Sequence, residues 1–315
     1  MNRSRTQIKP HRQAASQHSE RLHRPLVRSQ GSAKQLGILL MLVSAFLFSA
    51  MQVVINITGE RVPLMEQVFF RNIVSLVLCF IIIRRQGLSF FGERKYQPLL
   101  FMRSSFGLLG LVSLFYAASR ATQADVTILS KLSPFLITLF AFLFLKEKIN
   151  KIQIPALLIA FCGAYLVANP AFHSDVFPLF IAVLCAVFAS VSYTLLAYFK
   201  DKVDALTVIM HFSTFCTVVS LPFFIINYTL PSLPDFLLLI LIGIFGGFGQ
   251  IALTYAYRLA PAAEVSIYNY SGILFSMVLG YLVLGETVSS SSLAGGALVV
   301  LASLLTYRYS RHAEA

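Results

Sequence analysis

From residue 36 onward the chain is a succession of long apolar runs broken by short polar stretches. About 20 residues of α-helix cross ~30 Å of hydrocarbon, so windows of that length locate candidate spans. They predict ten transmembrane helices, over residues 36–56, 64–83, 97–118, 124–145, 152–168, 176–199, 205–226, 236–257, 262–284 and 288–307. Glu66 and Arg71 interrupt the second run, and the fifth is short. Lys131 stands inside the fourth, in the stretch LSKLSPFLITLF.

Composition agrees with this pattern: 57% of residues are hydrophobic and only 12% are charged, outside the usage of soluble domains. The expected fold class is an all-α integral membrane protein. A net charge of +12 invites a nucleic-acid partner, but the distribution of the 25 Lys and Arg residues argues for a lipid bilayer instead. Eight precede residue 35, and four, three, two and one occupy the second, fourth, sixth and eighth loops, with two more after the last helix. The opposite side has only Arg61 and Arg120, while Arg71, Arg103 and Lys131 fall within helices. By the positive-inside rule both termini are expected in the cytoplasm, in a multi-pass protein of the plasma (cytoplasmic, inner) membrane.

Residues 1–35 form a basic, polar tail expected to be disordered, a candidate tether for anionic lipid, and residues 308–315 a short cytoplasmic tail. No cleavable signal peptide is expected, because the first apolar run is long and follows a long polar segment. Cys79, Cys162, Cys185 and Cys216 all lie in predicted helices without metal-ligand spacing and read as core residues.

Sliding the chain on itself by 139 residues aligns 106–147 with 245–286 without a gap, and 13 of these 42 positions are identical. Gly107 meets Gly246, Gly110 meets Gly249, Tyr116 meets Tyr255 and Glu147 meets Glu286, while Asp125 meets Glu264 and Pro134 meets Ile273. A shift of 140 sets Phe48 against Phe188 and Arg71 against His211. The expected domains are therefore two five-helix repeats, 36–168 and 176–307. Five is odd, so the second copy is inverted relative to the first. Inverted repeats recur in secondary transporters, with the solute held near the midplane between the halves.

On these residues the chain resembles the drug/metabolite transporter superfamily and its EamA-type ten-helix members. The resemblance spans roughly residues 35–307. It rests on the helix count, the five-plus-five repeat, and the phrase FYAASRATQADVTILSKLSPFLITLFAFLFLKEKI, in which Tyr116, Ala117, Pro134 and Glu147 match the family pattern. TYAYRLAPAAEVSIYNYSGILFSMVLGYLVLGETV repeats the phrase in the second half. The family often has Trp in the first and sixth helices, whereas this chain has none and offers Phe48 and Phe188. Only the first copy has the proline, so only one fourth-type helix is expected to have a proline kink.

The polar residues inside the spans are the site candidates. Lys131 lies seven residues into its predicted helix, ~10 Å from the outer end, where an ionised group is costly unless it faces protein or water. Thr127, Lys131, Pro134 and Thr138 share one helical face, and Pro134 leaves the Ser130 carbonyl without its usual donor. Arg71 shares a face with Gln67 and Ser75. Arg103 has Gly107 and Gly110 on its flank, but it is close enough to the cytoplasmic end to snorkel. Such cations suit a carboxylate, phosphate or other anionic group. His211 is a candidate for a coupling proton; Glu66, Asp125 and Glu264 stand near helix starts, where a carboxylate favours the positive end of the dipole, with proton coupling as the alternative for each. Ser49, Gln52 and Asn56 line one face of the first helix, and Gln250, Thr254 and Tyr257 one face of the eighth. Tyr193, Tyr268 and Tyr270 offer rings for stacking. Gly107 with Gly110 and Gly243 with Gly247 mark close helix packing, with Gly107, Gly246 and Pro134 as candidates for gating or kinking.

No P-loop, GxSxG or HExxH is present, so neither an enzyme nor an ATP-driven pump is expected, and no cofactor or metal. The expected function is secondary active transport, by alternating access, of a small polar organic solute with an acidic group. A channel or a lipid scramblase or flippase of the same architecture is the alternative. Oligomeric state, a homodimer included, is open.

Overall fold

The computed structural model describes residues 30–59, 61–133, 135–137, 139–140, 152–168, 176–199, 202–226, 231–259 and 266–314. These residues are helical almost throughout. The helices are α1 (Gln30–Thr58), α2 (Leu64–Gln86), α3 (Gln97–Ala118), α4 (Gln123–Ser130), α5 (Gln153–Ala168), α6 (Phe177–Tyr198), α7 (Ala205–Ile226), α8 (Leu233–Leu259), α9 (Ser271–Leu279) and α10 (Ser290–Glu314). A 3-10 turn, Ser266–Tyr270, leads into α9, and a π-helical turn, Gly280–Leu284, follows it.

Among the described residues six segments are long and apolar enough to cross a bilayer, drawn from α1, α2, α3, α6, α7 and α8, and shorter apolar helices cover Ile154–Val167, Tyr268–Leu284 and Ser290–Leu305. The predicted fourth span, 124–145, is described only as far as Phe140, and there with gaps. Large apolar side chains face outward, among them Phe80, Leu158, Ile225 and Leu274. Backbone groups satisfied within each helix, with apolar side chains turned out, are what a hydrocarbon solvent demands.

Local chemistry sets the helix ends. α2 stops where Gly87 takes φ 65°, and its N–H returns to the Ile83 carbonyl. Arg84 and Arg85 fill the last turn, where cations complement the helix dipole. Ser220 on α7 returns its hydroxyl to the Cys216 carbonyl.

Packing pairs the helices across the two halves of the chain. α1 lies on α8, α3 on α6, α5 on α10 and α2 on α7, while α4 meets α9. The Ser44 hydroxyl donates to the Gly249 carbonyl at 2.8 Å, tying α1 to α8. Between α5 and α10 the backbones nearly touch: a Cβ at Gly163 would stand 2.7 Å from the Gly295 carbonyl oxygen. Of the four cysteines, Cys79, Cys185 and Cys216 are buried as expected, but Cys162 is exposed.

Candidate functional site

α4 does not run on as a regular helix through Lys131. It ends at Ser130, and Lys131 takes φ −75° and ψ 4°, outside helical geometry. The Lys131 N–H reaches both the Thr127 and Ile128 carbonyls, and the Leu132 N–H takes the Leu129 carbonyl at 3.1 Å. The bonds thus tighten to the i to i+3 type just before Pro134, a residue that has no N–H to offer the Ser130 carbonyl. The expected single face is interrupted here. Thr127, still in the helix, is buried and donates to the Gln52 amide oxygen at 3.2 Å. Lys131, beyond the break, reaches across to α9's approach and donates from Nζ to the Asn269 side-chain oxygen at 2.7 Å. Pro134 and Thr138, also expected on this face, lie outside the described residues, as do Glu147 and Glu264.

Lys131 opens into a cavity of about 150 Å³ between the helices, and Arg71, Arg103, Gln52, Gln250 and Asn269 share its wall. Arg103 was expected to snorkel; instead it is 2% exposed, and so is Arg71. Phe212 receives both guanidinium groups, with the Arg103 Cζ 4.3 Å and the Arg71 Cζ 5.5 Å from the ring centroid. An aromatic face attracts a cation electrostatically, more so when desolvated, which explains in part how two such groups are held in the interior. Arg71 donates from Nη1 to the Asn72 side-chain oxygen at 2.8 Å. Its Nε, and Nε and Nη1 of Arg103, have no hydrogen-bond acceptor among the described residues.

Two glycines make room for this arrangement. A Cβ at Gly246 would stand 2.9 Å from Met51 Sδ and 3.0 Å from Arg71 Nε. One at Gly107 would stand 2.8 Å from the Phe212 ring and 3.2 Å from the Ser192 hydroxyl. The glycines expected as gates are therefore seats for the Arg71 side chain and for the ring beneath both guanidinium groups.

Other expected site residues do not reach this wall. His211 pairs its Nδ1 with the Ser104 hydroxyl at 2.9 Å, because one residue along a helix turns a side chain by ~100°, and it is Phe212 that faces the cavity. Asn56 donates to the Ala118 carbonyl at 3.1 Å, closing the ends of α1 and α3. Tyr270 is 6% exposed and packs its ring 6.3 Å from that of Phe135. Tyr268 packs beside Met41 and Leu253. Conversely, Asn269, Tyr193, Ser192 and Phe212 line the cavity. Of these the sequence reading weighed only Tyr193, as a stacking ring. Asn269, between two tyrosines that had been weighed, was the nearest to legible.

Away from the cavity, the start of α4 is fastened by carboxylates. The Gln123 N–H donates to a Glu286 carboxylate oxygen at 2.9 Å, and its side chain donates to the Ser49 carbonyl at 2.8 Å. Asp125 accepts from Thr122 at 2.6 Å and from the Ser292 hydroxyl. Burial pushes the Glu286 carboxyl above its ordinary value of 4.5, the Gln123 N–H works against that, and nearby Asp125 adds to it.

The model of the EamA-like transporter family matches the chain twice, over residues 35–169 and 176–308. The chain belongs to the EamA-like transporter family. It is thereby a member of the drug/metabolite transporter superfamily, a multi-pass membrane protein and a transporter rather than an enzyme. The pseudopaline exporter CntI of Pseudomonas aeruginosa is 30% identical over 275 residues, covering 86% of this chain and 96% of the exporter. A riboflavin transporter of Brucella anthropi is 24% identical over 280 residues, covering 85% and 97%. Solute carrier family 35 member G1 of Mus musculus is 28% identical over 301 residues, covering 89% and 80%. A solved crystal structure superimposes on this EamA protein with a TM-score of 0.65 at 17% identity, covering 91% of this chain and the whole of that one; that likeness concerns the fold alone.

Proposed function

We propose that this EamA-family protein is a secondary active carrier for a small polar organic solute with an acidic group. The cavity holds the solute and is exposed alternately to the two sides of the membrane. One observation carries the reading: Arg71, Arg103 and Lys131 line a single cavity whose described lining residues include no Asp or Glu. Uncompensated cations in a low-dielectric interior are costly, and an anionic solute relieves that cost while it is bound.

Ten spans in two inverted five-helix repeats, 36–168 and 176–307, are the architecture of this carrier. The pairing of α1 with α8 and of α3 with α6 supports it, because exchanging the halves turns one pair into the other. Two separate matches to one family model support it as well. Both termini lie in the cytoplasm and the protein resides in the plasma membrane, a reading carried by the Lys and Arg distribution. A proton is the proposed coupling ion, with the carboxylates at the α4 start as its acceptors in preference to His211. The basic tail, 1–35, touches anionic lipid.

The experiment is a thermal-shift screen of the purified protein against a metabolite library, followed by counterflow in proteoliposomes with each stabilising compound. A bound solute raises stability in proportion to the logarithm of its concentration over Kd. Saturable counterflow of an acidic compound is the expected result. Flux without saturation or counterflow makes the protein a channel, and lipid movement without solute flux makes it a scramblase.

A further inference from the structure

The cavity is not uniformly cationic, and its two ends have different chemistry. At one end the Arg71 and Arg103 guanidinium groups stand over the Phe212 ring. Three of their nitrogens there are buried without an acceptor among the described residues. At the other end is Lys131, whose described side-chain partner is Asn269, a neutral acceptor that leaves the ammonium charge uncompensated. Both ends are marked along α1: a Cβ at Gly246 would stand 2.9 Å from Met51 Sδ and 3.0 Å from Arg71 Nε, and one at Gly272 would stand 3.3 Å from Lys131 Nζ and 3.8 Å from the Ala45 Cβ. Ala45 and Met51 are ~9 Å apart at the rise of an α-helix. Apolar side chains, including Phe48, Met51, Leu111, Leu114 and Leu253, line the same cavity.

From this we infer that the solute is a dianion, with one acidic group on the Arg71 and Arg103 pair, a second on Lys131, and a slim spacer between them. The inference rests on the cavity being the solute site. Charge bookkeeping favours two acidic groups over one: a dianion lowers the net charge of the three cations from three to one, a monoanion only to two. A solute with an amine at either end meets no carboxylate among the described lining residues. A cavity of about 150 Å³ is the size that admits a single benzene-sized molecule, so the spacer is an open chain and not a fused ring system. Guanidinium forks suit a planar carboxylate in a fixed orientation, whereas an ammonium accepts an anion from many directions. The Arg end therefore sets how the solute enters, and the Lys end measures its length.

The test is calorimetric titration of the purified full-length protein with linear dicarboxylates from succinate to suberate, each beside its monomethyl ester. Wild type is expected to bind one chain length at least about tenfold more tightly than the matching ester, because loss of a buried charge pair costs that much or more. Lys131→Gln is expected to bind diacid and ester alike, at the ester's affinity, while Lys131→Arg keeps the preference. If Lys131→Gln does not fold, the diacid and ester comparison in wild type decides alone. Equal binding of diacid and ester to wild type overturns the two-ended assignment and leaves the acidic-solute reading standing. Absence of diacid binding also overturns it. The solute-site reading falls with it only if, in addition, no compound that stabilises wild type in the library screen loses its effect in Arg103→Gln.

Discussion

Lys131 and Tyr270 occupy the same place in the repeat read from the sequence, and the chain is irregular at both. Before Lys131 α4 gives way to a turn; through Tyr270 the chain is a 3-10 turn that becomes regular α-helix only at Ser271. Proline accounts for the first irregularity, but the second has Ile273 where the first has Pro134. A proline kink was expected in the first copy alone, and the break in the second arises without a proline. Discontinuous helices at membrane depth are tolerated where protein or a cavity surrounds them, and here the two breaks face each other through the Lys131 to Asn269 bond and the Phe135 to Tyr270 ring contact. What differs is the use made of each. One break presents a cation to the cavity, and the other fills the core with a ring.

The sharpest way to break this comparison is to remove the charge and keep the volume. Lys131→Met is expected to fold and to lose at least about thirtyfold in affinity for the acidic solute, whereas Tyr270→Phe, at the equivalent position, is expected to leave affinity unchanged. A thermal-shift titration of both variants measures the contrast, and equal losses would mean that the two breaks contribute alike.

A smaller effect is expected at Gly246. Its replacement by Val would push against Met51 and Arg71, at a cost of about 1–3 kcal/mol for overpacking. Thermal unfolding in detergent reads that cost. The alternative, that Arg71 simply swings away, predicts unchanged stability with lost binding.

The smallest effect concerns the carboxylate that fastens α4. A carboxyl held above 4.5 in the folded protein binds more protons there than in the unfolded chain, so Glu286 makes stability fall as pH rises from 4.5 through the raised value. Glu286→Gln is expected to flatten that slope, because an amide oxygen still accepts from the Gln123 N–H but does not titrate. Melting temperature against pH reads it, and an unchanged slope would assign the pH dependence elsewhere. The first copy has Glu147 at the position matching Glu286, outside the described residues, so the same measurement on Glu147→Gln asks whether α9 is fastened in the same way.

The candidate site was partly legible. Lys131, Arg71, Gln52 and Gln250 were selected because polar groups in apolar runs are expensive, Gly107 because a small residue marks a close approach, and all five line the cavity. Arg103 was undervalued, because distance from a helix end cannot tell whether a long side chain escapes to water or turns inward under a neighbouring ring. His211 was selected because it aligns with Arg71, but alignment carries no information about which of two adjacent residues faces inward.

The sequence by itself determined the solvent and the plan. Apolar runs of membrane length require helices, because no other open backbone arrangement satisfies its own polar groups in hydrocarbon, and the self-similarity of 106–147 and 245–286 marks the doubled design. Tertiary structure alone decided which polar groups meet. Arg71 from α2, Arg103 from α3, Phe212 from α7 and Asn269 from the approach to α9 are far apart along the chain. Their meeting depends on the packing of helices from both halves and on the small surfaces of Gly107 and Gly246, properties of side-chain volume in three dimensions that no one-dimensional period records.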